Sequence, residues 1–586
     1  MRPNFFGKPN AQNNKKGKMI KRLCFILAVV LGLSAVAVGC HHGELEAIDS
    51  SKTQLYVSNL NAGISNQWLL DIETRFEETY ANESFEPGKT GVQVIVDTEN
   101  TINGRWLILP TDDWEVYFTE NLPYYEFVSQ DYLLDISDVV RGSAYGETET
   151  IESKLDAATR SGLTALDGSY YALPHYEAYR SIFYDVNVFD REKLYFAAED
   201  NGNYGISGNN CFIIRDTDKK TAGPDGKTGV DPETGIDYSL DDGLPATIEQ
   251  FYDLLEYMKG RGVTPFVWPG SAIAYTEYIV DAFSDQLSGE DAALNYTYDS
   301  KGEPVRVITG FNGSKPVVEE IAINNENGYL VERMEGRYYG LAVLETIIDK
   351  IGEYAYELSN NNSTFTQLDS QEKFIFSDLE NQPIGMIVDG NYWWNEASEA
   401  YKRSVNQYGE RAETRNFAYL PLPTAVSDED FVAGETPVLR DVMRSYCFVN
   451  ANIADDPVKV RLAKLFVSFC YSDSALQDFT VHTGLAKGLD YELTDDQYDS
   501  LGSLGKSCWD VRKRATIVRQ LSTNRMLIEN ETALTYDVYS STVANQPYLT
   551  PFTAFRGKVS AADYFKGTWT SPETWRETYS KYFTVT

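Results

Sequence analysis

The run from Leu55 to Thr98 constrains the fold of this chain more than any other stretch. LYVSNL (Leu55–Leu60) has strand character, NQWLLDIETRFEETY (Asn66–Tyr80) reads as an amphipathic helix, and VQVIVDT (Val92–Thr98) is a second strand. Trp68, Leu69, Ile72 and Phe76 recur at helical spacing and share one face. Strand, helix and strand at this interval make a βαβ unit, which lays its two strands parallel in one sheet. The 586 residues exceed what one hydrophobic core supports, about 250–300 residues, so two or more lobes are expected.

The rest of the body continues the alternation. YYALPHYEAYRSIFYDVNVF (Tyr170–Phe189) has strand character in two pieces, and Leu133–Val140 is helix-like. From 200 to 243 Gly, Asp, Asn, Thr and Lys dominate, which marks an insertion or long loop. Thr247, followed by Glu249 and Gln250, offers N-cap chemistry without a perfect capping box for the helix IEQFYDLLEYMKGRG. TPFVW (Thr264–Trp268), PIGMIVDGNYWW (Pro383–Trp394), NFAYLPLPT (Asn416–Thr424) and SYCFVNAN (Ser445–Asn452) read as strands. Residues 338–358 form an amphipathic helix, Val458–Gly484 a helix, a break and a helix, and the tail is mainly helical. No fixed-period repeat is present, which argues against solenoids and propellers.

The N-terminus carries Lys15, Lys16, Lys18, Lys21 and Arg22, then an apolar run from Leu23 to Gly39. That run is shorter than the roughly 20 residues of a membrane-spanning helix and reads as a secretory signal, with Met1 or Met19 as its start. The break Ala37-Val38-Gly39-Cys40 resembles the lipobox of bacterial lipoproteins, which implies lipid on Cys40 and a body tethered outside the cytoplasm, at the cell membrane. Cleavage removes seven of the 51 basic residues and none of the 87 acidic ones, leaving 44 against 87, a charge of −43. A chain so acidic is not a nucleic-acid binder, because phosphate contacts need clustered cations. Beyond Cys40, Cys211, Cys447, Cys470 and Cys508 permit three disulfide pairings and require none.

Enzyme motifs are weak. SLGKS (Ser503–Ser507) has Ser500 where a phosphate loop needs its first Gly, and neither G-x-S-x-G nor H-E-x-x-H occurs. Asp216, Asp218, Asp225, Asp231 and Asp237 could offer oxygen ligands to calcium, but they lack EF-hand spacing, and a solvated loop is the plainer reading.

The order of lipobox, βαβ unit, YALPHYEAYRSIFYDVNVF, PATIEQFYDLLEYMKGRGVTPFVW, PIGMIVDGNYWW and KLFVSFCYSDSALQDFTVHTG resembles the extracellular solute-binding proteins of ABC importers. Within them it is similar to the sugar-binding type related to maltose-binding protein, over Leu55 to Gly484. The resemblance implies an α/β, two-lobed periplasmic-binding-protein-like (type II) fold with a hinge and an interlobe cleft. It divides the chain into a lipoprotein signal at 1–39, a tether at 40–53, an N-terminal lobe of 54–175 with 415–452, and a C-terminal lobe of 176–414 with 453–586. The insertion at 200–243 belongs to the second lobe, and the hinge segments fall near Tyr170–Phe183 and Asn416–Asn452.

Sugars present apolar faces rimmed with hydroxyls, which aromatic side chains and Asp, Asn and Glu recognise. Trp393 or Trp394 is expected to stack on ligand, with the other in the core, and Asp389 and Asn391 in the same turn to supply polar contacts. Trp268, Trp114, Asn61, Trp509 and the pair His175 and Tyr176 are further cleft candidates, whereas Trp68 has core spacing. The function implied is capture of a carbohydrate, favoured as an oligosaccharide, by a monomer that delivers it to a permease and has no catalytic residues. A peptide or other non-sugar ligand and, behind it, a secreted glycoside hydrolase are the alternatives.

Overall fold

The βαβ unit forms where its pattern places it. A computed structural model describes residues 47–61, 63–97, 105–197, 205–207, 210–213, 229, 232, 243–432, 434–442, 445–520, 541–548 and 550–581. Strand β1 (Thr53–Asn59) and helix α1 (Gln67–Thr79) lead into β2 (Val92–Asp97), and β1 and β2 pair in parallel from Thr53 opposite Val92 to Ser58 opposite Asp97. Trp68, Leu69, Ile72 and Phe76 of α1 are fully buried, each stabilising the lobe by about 1.5–3 kcal/mol on an area basis. Strand β3 (Val116–Thr119) pairs in parallel with β1 on its other side, and β4 (Ala172–Pro174) ends this first region.

The second lobe begins at β5 (Arg180–Asp185). The sequence made Tyr170–Phe189 extended, yet the chain turns helical at Val186, because Asp185 caps that helix by accepting from the Val188 amide. Helix α2 (Ile248–Gly260) precedes β6 (Thr264–Val267). Thr247 and Gln250 do form a reciprocal capping box at its start, contrary to expectation: Gln250, not Glu249, occupies the third position. Helices α3 (Tyr275–Ser288), α4 (Glu335–Asp349) and α5 (Gln367–Ser377) follow, then β7 (Ile384–Gly390) and β8 (Phe417–Tyr419). The sheet runs β8-β5-β7-β6. Every residue of β7 is buried, as an apolar run covered by helices on both faces should be.

The chain then returns. Strand β9 (Val438–Asp441) leads to β10 (Tyr446–Val449), which enters the first sheet antiparallel between β3 and β4, giving the order β2-β1-β3-β10-β4. Helices α6 (Pro457–Cys470) and α7 (Asp473–Thr483) bury Leu462, Phe466 and Phe479 in the same core as Trp68. Helix α8 (Ser503–Arg514) follows, and β11 (Thr516–Arg519) pairs in parallel with β9.

These pairings correct the expected boundaries. Residues 457–483 belong to the first lobe rather than the second, and Phe417–Tyr419 pairs with β5 in the second lobe rather than the first. In the tail, Phe552, Phe555 and Phe565 of the helices at Pro551–Arg556 and Ala561–Lys566 join the core of α4, Trp575 packs with Tyr298 and Val331, and Leu504, Cys508 and Val511 of α8 pack with Phe183 and Trp393, all residues of the second lobe. Two α/β lobes joined by crossings, with one strand of the first sheet supplied after the chain has traversed the second lobe, make the two-lobed type II architecture. Cys447, Cys470 and Cys508 are buried free thiols.

Candidate functional site

The ends of β1 and β3 in one lobe and of β7 in the other converge beside the first crossing. Glu120 follows β3 and is 6% exposed; it accepts a hydrogen bond from the Tyr176 hydroxyl on the crossing. The loop after β1 reaches across to the second lobe at Gly63, where a Cβ would stand 2.6 Å from Glu396 Cγ. Gly63 also has a φ of +83°, so both its conformation and this close approach require glycine.

From the second lobe, β7 delivers Asp389 at 0% exposure, and α5 delivers Gln371, equally buried. Gln371 Nε2 donates to both acids, 3.1 Å to Asp389 Oδ2 and 2.7 Å to Glu396 Oε2. Asp389 Oδ1 also accepts from the Gly390 amide at 2.7 Å. Arg180, opposite Gly390 in the β5–β7 pairing, lies over the Tyr278 ring at 4.6 Å and faces both Glu120 and Asp389. Tyr275, Tyr278 and Tyr392 lie within electrostatic reach of Asp389 and Glu396.

Burial pushes the Asp389 carboxyl up to about 7, against the pull of Gly390, Gln371 and Arg180. It pushes Glu396 up to about 8, and the neighbouring Asp389 adds to that rise. Glu120 is raised too, again by burial. The arrangement is a Tyr-lined set of acids contributed by both lobes, able to accept hydrogen bonds and to hold a proton between neighbours.

The residues expected from sequence scatter around this cluster. Asp389 and Tyr176 belong to it, and Asn61 sits two residues from Gly63 with its buried Oδ1 lacking a hydrogen-bond partner. Asn391 instead clamps the crossing: its amide donates to Tyr179 O at 3.0 Å, and its Oδ1 accepts from the Tyr179 amide at 3.1 Å. Trp393 is fully buried in the second lobe beside Phe374 and Phe417, and Trp394 packs on Tyr401 and Phe417 outside it. Tyr392, one residue earlier, is the aromatic that the turn presents to the acids, and sequence reasoning passed over it.

Trp268 follows β6 and packs into the α2–α4 core. Trp114 precedes β3 and packs edge-on against Tyr56 at 5.6 Å, six residues and about 20 Å of strand from the Glu120 edge. Trp509 packs on Tyr491 in the first core. His175 is 1% exposed, its Nδ1 3.1 Å from Lys487 Nζ, and burial followed by that ammonium holds it neutral. Lys487 is itself fully buried over the rings of Phe479 and Trp68, at 4.6 and 4.7 Å, and burial lowers it to about 8.

Three passes of the chain, at Glu177 and Tyr179, at Asp441, and at Arg512 and Arg519, are stitched by a second set of charges that the sequence did not disclose. Glu177 is fully buried and accepts from Arg512 Nε at 2.6 Å, from Arg519 and from the Tyr179 hydroxyl. Arg519 also bridges to Asp156 at 2.9 Å and Asp441 at 3.2 Å, tying the first lobe, β9 and β11 together. Cys40 and Asp216, Asp218, Asp225, Asp231 and Asp237 lie outside the described residues. Among the described residues no group of three or more His, Cys, Asp and Glu is placed to hold a metal ion, and no helix is long and apolar enough to cross a membrane.

No family model matches the chain, and no curated protein matches it. Solved structures do match at low identity. A probable secreted solute-binding lipoprotein from Streptomyces coelicolor is 13% identical with a TM-score of 0.48, over 91% of this chain and 99% of that one. Ligand-free RafE from Streptococcus pneumoniae is 11% identical with a TM-score of 0.48, over 92% and 99%. An ABC-transporter binding protein from Bifidobacterium animalis subsp. lactis, in complex with mannobiose, is 14% identical with a TM-score of 0.46, over 91% and 94%.

Proposed function

We propose that this chain is a substrate-binding protein that captures a carbohydrate, as an oligosaccharide, between its lobes and delivers it to an ABC-transporter permease. Lipid on Cys40 tethers the monomer outside the cytoplasm, and closure of the lobes about the crossings follows ligand entry. The observation that carries this reading is the joint site: Glu120 and Tyr176 come from the first lobe and its crossing, and Gln371, Asp389, Tyr392 and Glu396 from the second. Aromatic rings with buried, fixed acceptors suit a ligand that is apolar on its faces and rich in hydroxyl donors at its rim.

Isothermal calorimetry and intrinsic tryptophan fluorescence across a panel of mono- to tetrasaccharides test it. Saturable one-to-one binding to at least one sugar, with no product released, is the expected outcome. Release of shorter sugars would move the protein to the glycoside hydrolases, and silence to every sugar would remove the carbohydrate reading.

A further inference from the structure

Three carboxylates, Glu120, Asp389 and Glu396, converge on the site, and the one cation acting on them among the described residues is Arg180. The excess of acceptors extends to neutral groups. Gln371 is 0% exposed; its Nε2 is used by both acids, while its Oε1 is buried without any hydrogen-bond partner. Asn61 Oδ1, on the loop that meets Glu396, is in the same condition. A buried acceptor left unsatisfied costs about 1–3 kcal/mol, so Gln371 Oε1 and Asn61 Oδ1 each favour a ligand that brings them a donor.

A neutral hydroxyl offers one hydrogen, whereas an ammonium offers three and a positive charge. One amide brings the Asp389 and Glu396 carboxyls together and keeps its own Oε1 unpartnered, so several acceptors surround a single group. We propose that the ligand carries a protonated amine held by Asp389, Glu396 and Gln371 and, resting on the carbohydrate reading above, that it is an oligosaccharide of amino sugars with free amino groups. Arg180 then pairs with Glu120 and orients the hydroxyl-bearing remainder.

Calorimetry on matched disaccharides separates this proposal from the reading beneath it. The glucosamine dimer, its N-acetylated form and cellobiose share one skeleton and differ only at the nitrogen; a galactosamine series with its N-acetylated and neutral partners extends the comparison. The free-amine member of at least one series should bind ten times more tightly than its two partners. Because the acids hold protons, binding of the amine should also release protons, seen as a dependence of the heat on buffer ionisation. Glu396→Gln, checked for its fold by circular dichroism, should bring the amine to within threefold of its neutral partner. Equal or tighter binding of the neutral or acetylated sugar would overturn the proposal and leave the carbohydrate reading standing. Binding of spermidine with no response to any sugar would overturn that reading and keep the amine. No response to any of these ligands would overturn both.

Discussion

Buried carboxylates occupy two neighbouring places in this chain and end in opposite states. Burial alone would raise Glu177, yet Arg512 and Arg519 together hold it below the usual glutamate range. Burial raises Asp389 and Glu396 as well; there the opposing pull comes from hydrogen bonds of Gly390 and Gln371, with Arg180 as the one cation and acting on Asp389, so both stay well above the ordinary range. Residue type and burial are shared by the two places, and the supply of cations differs. An acid furnished with guanidinium groups rivets three passes of the chain together, while acids short of cations form a site that a donor completes.

Glu177→Gln breaks that contrast from the structural side. The amide keeps the shape but leaves Arg512 and Arg519 facing a neutral group inside the crossings, which should lower the unfolding free energy by about 3–5 kcal/mol. Asp389→Asn removes an acid that carries no ion pair like those of Glu177 and keeps the shape of the side chain, so its effect should remain within about 1 kcal/mol. Urea denaturation of both proteins measures the pair. Equal losses would erase the distinction between rivet and site.

The aromatic turn sharpens it next. Trp393→Ala empties a fully buried position and should destabilise by about 3–5 kcal/mol while changing ligand affinity less than about threefold. Tyr392→Phe removes a hydroxyl hydrogen-bonded to Tyr278 and should weaken binding about five- to tenfold, with little change in stability. Thermal melts and fluorescence titrations report both, and a larger loss of affinity in the Trp variant would reverse their assigned roles.

What was legible in the sequence was what short-range pattern controls. The α1 face of Trp68, Leu69, Ile72 and Phe76 declares its environment within a few residues and is buried, and PIGMIVDGNYWW forms the strand that its pattern predicts. The lobe boundary was not legible, because β8 pairs Phe417 with Asp185 and Tyr419 with Phe183, and α6 and α7 pack Leu462, Phe466 and Phe479 into the core of Trp68, contacts between residues far apart in the chain. Glu177, Arg512 and Arg519 carry no local signature for the same reason; their partnership exists only once three passes of chain lie side by side. In the candidate site, Asp389 was singled out from the end of its strand, but Tyr392 was passed over for Trp393, because ring size says nothing about which way a turn aims successive side chains.

The smallest expected effect lies in the pH dependence of the ligand-free protein, and its sign separates the two clusters. Asp389 and Glu396 have folded values of about 7 and about 8, above ordinary values of 3.8 and 4.5. The folded state therefore holds their protons more tightly than the unfolded chain does, so the stability they contribute is complete in acid and fades as pH rises toward 8. Glu177, held low, contributes stability that is present above 4.5 and fades as pH falls further. Asp285, raised to about 7, and Asp185, raised to about 6, both chiefly by burial, slope the same way as the site acids and form a background that site variants leave in place. The comparison is thus between wild type and the Asp389→Asn, Glu396→Gln double variant. From pH 5 to 8 the midpoint of thermal unfolding should fall further in the wild type than in the double variant. A saturating amine ligand should shrink that difference, because its charge stabilises the ionised acids, whereas a neutral sugar should not; parallel curves without ligand would show that the site acids do not hold their protons.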